Sequence, residues 1–219
     1  MINDAKTSSL PITRDRLLKR ALMLARLTVF YNLAEGVVSV LFGLQDETLS
    51  LFGFGLDSFV EVISGIGIWH MVRRMQDRTP LNTDAFERNA LRITGSAFYL
   101  LTIGLILTAA VDLYQGHRPE TTFWGIVIAV VSIVTMAALI HFKKKVGRQL
   151  QSDAIIADAN CTRACLHLSF VLLGASVGYA VTGIGGLDSI GAVAIALFAF
   201  REGREAFEKA RGKACSCAD

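Results

Sequence analysis

The chain has 219 residues, of which 53% are hydrophobic and only 19% are charged, and its mean hydropathy is +0.48. A soluble domain of this size carries far fewer long apolar runs, so the composition excludes that class and predicts an all-α polytopic membrane protein. The formal net charge of +3 says little about function by itself, because the basic residues are concentrated in some of the loops and nearly absent from others. The length suits a single bundle of six transmembrane helices.

Six apolar segments come after the polar residues 1–20, which lack the order of a secretory signal peptide. A hydropathy window of about 19 residues gives their approximate bounds as 21–44, 48–69, 90–114, 121–141, 153–182 and 187–200. The last segment is short, and we expect its helix to continue into the amphipathic stretch beyond residue 200. The predicted organisation is a cytoplasmic N-terminal segment 1–20, a six-helix transmembrane domain 21–207 and a short cytoplasmic tail 208–219.

Loop charges predict the orientation. Clusters of Lys and Arg precede segment one, follow segments two and four, and recur in the tail, whereas the three intervening connections carry a single Arg, Arg118. The positive-inside rule therefore places both termini in the cytoplasm. We expect a multi-pass protein of the cell inner (plasma) membrane, with the lipid bilayer around it and no nucleic-acid partner.

Segment two contains an acidic pair, Asp57 and Glu61, within the apolar run LSLFGFGLDSFVEVISGIGIW of residues 49–69. A spacing of four residues puts both carboxylates on one helix face, close enough to repel each other when ionised. Carboxylates at this depth are costly and usually mark an ion or proton path. Either protons or a bound cation must offset the cost.

Segment five repeats the same spacing with Cys161 and Cys165. Segments two and five are predicted to run antiparallel, and at about 1.5 Å rise per residue both pairs fall within several Å of the bilayer centre. If the two helices are neighbours, two carboxylates and two thiolates can converge as four ligands of a divalent d-block ion. Zn²⁺ is the default and Cd²⁺ is favoured by the soft sulfurs, with plain packing of the cysteines as the alternative.

Other polar residues in the segments have less defined roles. Asp158 lies three residues before Cys161 on the same face, and is a secondary oxygen ligand, a gate, a helix cap or an interfacial charge. Glu35 in segment one could hydrogen-bond to Asn32, relay protons or supplement the site. Two acidic residues near the predicted outer ends of their segments are expected to face water: Asp112 and Asp188.

Three stretches resemble the cation diffusion facilitator family. LDSFVEVISG resembles the second-helix motif, with Asp57 and Glu61 at its two ligand positions. ADANCTRAC is similar to the fifth-helix pattern Ala-Asp-x-x-His-x-x-x-Asp, with Cys161 and Cys165 at the His and Asp positions, and residues 186–210 resemble the sixth helix and the segment after it. The resemblance implies six transmembrane helices with cytoplasmic termini, a secondary transporter rather than an enzyme, and a homodimer.

Two departures from the family pattern bear on function. Two cysteines in place of His and Asp move the expected ion preference toward softer metals. The chain also ends near residue 219, where typical members continue into a metal-binding cytoplasmic domain, so we expect a form without that domain. Cys215 and Cys217 could capture metal in its place or have no role.

The expected function is export of a divalent transition metal, Zn²⁺ or Cd²⁺, in exchange for protons by alternating access. Hg²⁺ and iron also suit such a site, and the sequence does not choose among them. Two alternatives stay open: a membrane thiol redox enzyme built on Cys161 and Cys165, and a metal sensor that does not transport.

Overall fold

The computed structural model describes residues 5–76, 85–116 and 118–211, and these residues form six α-helices and no β-strand. The helices are α1 (Ala5–Gln45), α2 (Leu49–Gln76), α3 (Ala85–Gln115), α4 (Phe123–Leu150), α5 (Asp153–Thr182) and α6 (Gly186–Ala210). The all-α prediction is confirmed. Cys215 and Cys217 lie outside the described residues.

Five of the six helices extend well past their predicted apolar segments, and always at the same end of the bundle. α2, for example, ends at Gln76 rather than near residue 69, and α4 ends at Leu150 rather than near residue 141. Polar residues continue a helix as readily as apolar ones do, so hydropathy detects only the apolar part. The extension of α6 to Ala210 matches the expectation that its helix continues into the amphipathic stretch.

The surface of the bundle is apolar, as expected for a protein in lipid. Within the described residues, α1 to α5 are each long and apolar enough to cross a membrane. Large side chains such as Leu100 (72% exposed) and Val181 (80% exposed) cover the outside. The charged residues after Phe200 make α6 less apolar overall, but its first half is buried through Ala192, Ile195 and Ala196. The chain is a polytopic membrane protein.

Helix α2 is central in the bundle, because it contacts α1, α3, α5 and α6. Its approach to α1 is close enough to require glycine: a Cβ at Gly55 would lie 2.8 Å from the backbone nitrogen of Val40. The remaining main pairings are α3 with α6 and α4 with α5. The contact between α2 and α5 makes neighbours of the two helices that carry the acidic pair and the cysteine pair.

Asp188 caps the start of α2, so the prediction that it faces water was wrong. Its carboxylate accepts hydrogen bonds from the backbone N–H groups of Leu49 (2.7 Å) and Ser50 (3.2 Å) and from the Ser50 hydroxyl, and the residue is only 3% exposed. The first N–H groups of a helix lack partners within it, and an acidic side chain satisfies them best. Here the acid comes from the first turn of α6. Asp112, by contrast, is partly exposed.

Candidate metal centre

The Glu61 carboxylate joins three helices. Its Oε2 accepts a hydrogen bond from Asn32 Nδ2 of α1 at 2.9 Å, and its Oε1 accepts one from the thiol of Cys165 on α5. Cys165 is buried, at 7% exposure. The structure therefore brings together one carboxylate from the acidic pair and one sulfur from the cysteine pair, in the interior of the bundle.

Asp57 lies one turn before Glu61 on α2 and is 2% exposed. Its Oδ1 atom is buried and accepts no hydrogen bond from any of the described residues. Burying a carboxylate oxygen without a partner costs several kcal/mol, and the cost is larger if the group is charged. A proton or a cation is needed to offset that cost.

Cys161 lies one turn before Cys165 on α5, and its partner comes from α6. The Lys209 ammonium donates a hydrogen bond to Cys161 Sγ at 3.1 Å and forms an ion pair with Glu205 Oε1 at 2.9 Å. Because α2 and α5 run antiparallel, Asp57 and Cys161 lie one turn from the Glu61–Cys165 contact in opposite directions. In the part of the chain that the structure describes, no three His, Cys, Asp or Glu side chains cluster closely enough to hold a metal together.

A cavity of about 60 Å³ lies between these helices, and its lining includes Glu61, Cys161, Cys165, Glu202 and Lys209. This is more space than one ordered water needs, so a single metal ion fits in the cavity. The cavity thus adds an acidic residue of α6, Glu202, and a basic one, Lys209, to the predicted surroundings of the site.

Asp158 also lines this cavity, but its carboxylate is held by a lysine. Lys143 Nζ of α4 lies 3.0 Å from Asp158 Oδ2 and donates a second hydrogen bond to Thr162 Oγ1 at 2.9 Å. The Lys143 side chain is 1% exposed, so this is a buried ion pair between α4 and α5. The ion pair links the first turns of α5 to α4, a role that was not among those predicted for Asp158.

Glu35 has its own hydrogen-bonded surroundings. It accepts hydrogen bonds from the hydroxyls of Tyr31 (2.9 Å) and Ser58 (3.1 Å) and is 7% exposed. The suggested partner Asn32 bonds to Glu61 instead. Ser58 directly follows Asp57 in the sequence, so Glu35 is connected to the residue next to the acidic pair.

Sequence reasoning missed three charged residues at the centre: Lys143, Glu202 and Lys209. The two lysines were counted only as loop charges that set orientation. Lys143 is the first of three consecutive lysines, and nothing in that run shows which one is buried. The spacing of Glu205 and Lys209, four residues apart, could have indicated a common helix face, although not that this face points at Cys161.

Buried carboxylates and thiols around a small cavity in an apolar helix bundle are features of a membrane protein that moves cations. Residues 21–211 match the family model described as the cation efflux transmembrane domain. The chain therefore belongs to the cation diffusion facilitator family of metal cation transporters.

Three curated relatives are similar to this chain. Transmembrane protein 163 of Xenopus laevis is 26% identical over 141 residues, which is 64% of this chain and 49% of the relative. The magnetosome protein MamB of Magnetospira sp. is 23% identical over 172 residues, 78% of this chain and 58% of the relative. An uncharacterized transporter of Methanocaldococcus jannaschii is 25% identical over 151 residues, which is 67% of this chain and 53% of the relative. The chain spans about half the length of these relatives.

Proposed function

We propose that this protein exports a soft divalent transition metal, Zn²⁺ or Cd²⁺, across the plasma membrane in exchange for protons. The ligands are Asp57, Glu61, Cys161 and Cys165. The observation that supports this best is the contact between Glu61 and Cys165, which sets an oxygen donor beside a sulfur donor from a second helix. The unpartnered Asp57 oxygen one turn away provides a further donor.

The donor chemistry favours transition metals over alkaline-earth ions. Mg²⁺ and Ca²⁺ take shells of six or more oxygens, whereas two sulfurs and two carboxylates suit four-coordinate Zn²⁺. Thiolate sulfur shifts the preference further, toward soft ions such as Cd²⁺. The proposed substrate is therefore a d-block ion that tolerates a mixed oxygen and sulfur shell.

Proton exchange follows from the same groups. Thiols and carboxylates bind metal in their deprotonated forms, so metal binding releases protons and protonation releases metal. The hydrogen of the Cys165 thiol bonds to Glu61, and a metal bridging these two atoms must replace that hydrogen. Alternating access requires the same groups to face each side of the membrane in turn, by rocking of helices around a site near the midplane.

The orientation and assembly of the transporter are part of the proposal. The distribution of basic loops supports cytoplasmic termini, which places the Asp158–Lys143 pair and Lys209 on the cytoplasmic side of Glu61. A homodimer is proposed from the family resemblance. Its contacts would involve the exposed apolar faces of the membrane helices.

Reconstituted flux tests the proposed function. The purified full chain in liposomes is offered Zn²⁺, Cd²⁺, Mn²⁺ or Mg²⁺, with and without an imposed pH gradient, and uptake is followed with an internal metal indicator. We expect uptake of Zn²⁺ and Cd²⁺ that is faster when the liposome interior is the more acidic side, so that protons leave as metal enters. We expect no Mg²⁺ uptake. Absence of flux for every ion would favour a metal sensor. Flux that does not depend on the pH gradient would show that transport is not coupled to protons.

A further inference from the structure

Lys209 contacts one of the proposed ligands from a helix that carries none of them. Its ammonium lies 3.1 Å from Cys161 Sγ and 2.9 Å from Glu205 Oε1. The Lys209 and Glu205 side chains are only 19% and 20% exposed. Lys209 lines the same cavity as Glu61 and Cys165. A lysine in this position is part of the centre rather than of the solvated surface.

The ammonium and a divalent metal compete for the same sulfur. A Zn–S bond is about 2.3 Å long and the Lys209 ammonium lies 3.1 Å from the sulfur, so a metal bound to Cys161 would lie within about 5.4 Å of the ammonium. Repulsion between a monovalent and a divalent cation is strong at such distances, because a partly buried site screens charges less than water does. Repulsion therefore weakens ligation by Cys161 for as long as the ammonium stays at the sulfur.

We propose that Lys209 is an internal competitor of the transported metal, and this inference rests on the proposed function. The ammonium occupies Cys161 until a metal displaces it, and Glu205, already its ion-pair partner, retains it afterwards. Only ions that bind sulfur tightly displace it, so Lys209 raises the selectivity for soft metals. Because Lys209 belongs to α6 and Cys161 to α5, displacement also removes a tie between these helices when the metal binds.

Equilibrium Cd²⁺ binding tests the competition. The purified full chain in lipid nanodiscs is titrated with Cd²⁺, and binding is read from the sulfur-to-cadmium charge-transfer absorption. Lys209→Met keeps the long apolar stem and removes the charge, and we expect it to lower the Cd²⁺ Kd about tenfold. Lys209→Arg restores the charge, so its Kd should stay within about threefold of wild type. Lys145→Met, which removes an exposed lysine of α4, is the matched control and should leave the Kd unchanged.

A second background separates competition at the sulfur from general charge repulsion. In a Cys161→Ala chain the ammonium has no sulfur to occupy, so we expect Lys209→Met to change the Kd by about threefold or less. An unchanged or weaker Cd²⁺ affinity in Lys209→Met overturns the proposal. So does a tenfold effect that persists without Cys161, or a wild-type protein with no charge-transfer band.

Metal flux and Cd²⁺ affinity separate the transport function from the role of Lys209. If the affinity pattern holds but liposomes take up no metal, Lys209 competes at a binding site and the transport function is wrong. If metal flux is present but Lys209→Met leaves the Cd²⁺ Kd unchanged, the transport function stands and the role of Lys209 is wrong.

Discussion

The thiol of Cys165 on α5 donates a hydrogen bond to Oε1 of Glu61 on α2, so a sulfur and a carboxylate from two helices meet inside the bundle. Asn32 of α1 holds the other oxygen of the same carboxylate. Three helices are thus connected through one acidic side chain. A metal that replaces the hydrogen between Cys165 and Glu61 would keep α2 and α5 linked, whereas loss of the metal and of that hydrogen would free them.

Restoring the residues usual for the family should change the ion preference. In the double variant Cys161→His and Cys165→Asp, nitrogen and oxygen replace both sulfurs, and these ligands suit Zn²⁺ better than Cd²⁺. We expect the ratio of Zn²⁺ to Cd²⁺ flux in proteoliposomes to rise about tenfold. An unaltered ratio would mean that neither cysteine ligates the transported ion.

Metal should protect the membrane cysteines from alkylation. Replacing Cys215 and Cys217 by serine leaves Cys161 and Cys165 as the remaining two of the four cysteines. With Cd²⁺ at about ten times its Kd, the fraction of metal-free protein falls about elevenfold, and alkylation measured by mass spectrometry should slow to a similar extent. Mg²⁺ at the same concentration is the control and should have no effect. Alkylation that Cd²⁺ leaves unchanged would argue against ligation and in favour of a thiol redox role.

The buried ion pair between Lys143 and Asp158 should matter for stability. Asp158→Asn removes the negative charge beside the buried Lys143 ammonium and leaves it only neutral hydrogen-bond partners, and breaking a buried pair on one side typically costs about 3 to 5 kcal/mol. We expect a loss near the lower end of that range, measured by denaturant titration in detergent micelles, because Asp158 is 13% exposed.

The exposed pair of Asp15 and Lys19 is the matched control for this experiment. Both side chains are more than half exposed, and pairs of this kind contribute about 0 to 1 kcal/mol. Asp15→Asn should therefore leave the free energy of unfolding nearly unchanged. Equal effects of the two substitutions would contradict the role assigned to Lys143.

The cap that Asp188 provides should be measurable in the same way. Asp188→Ala removes the acceptor for the Leu49 and Ser50 N–H groups, and losing such a cap costs about 1 to 2 kcal/mol. Asp112→Ala, at the partly exposed end of α3, is the comparison and should have a smaller effect. Melting temperatures in detergent that rank the two variants in the opposite order would refute the cap.

The fold was accessible from the sequence because hydropathy and helix length are properties of single segments. Apolar runs of about 20 residues predict spanning helices without reference to their neighbours. Asp57 and Glu61 were accessible for the same reason, since their burial cost follows from position within one run. The cysteine pair was found by matching its depth in the membrane to that of the acidic pair, which requires only the rise per residue and the direction of each helix.

Contacts between helices were not accessible, because they depend on how each helix is rotated about its axis. Nothing in the sequence distinguishes Lys143 from the two lysines directly after it, yet it is almost fully buried. Lys209 reaches Cys161 only because α6 continues as a helix to Ala210 and packs against α5. The error at Asp188 has the same origin: an acid near a helix end was taken as solvated, whereas it caps the start of another helix.

If Glu61 and its neighbours hold the metal during transport, Cd²⁺ flux into proteoliposomes must depend on their carboxylates. Glu61→Gln keeps the size and shape of the side chain, removes its charge and replaces one of its two acceptor oxygens by an NH2 donor. We expect flux to fall to the level of protein-free liposomes in Glu61→Gln and in Asp57→Asn, while Glu120→Gln, an exposed acid outside the bundle interior, retains wild-type flux. Wild-type flux in both membrane variants would mean that neither carboxylate binds the transported metal.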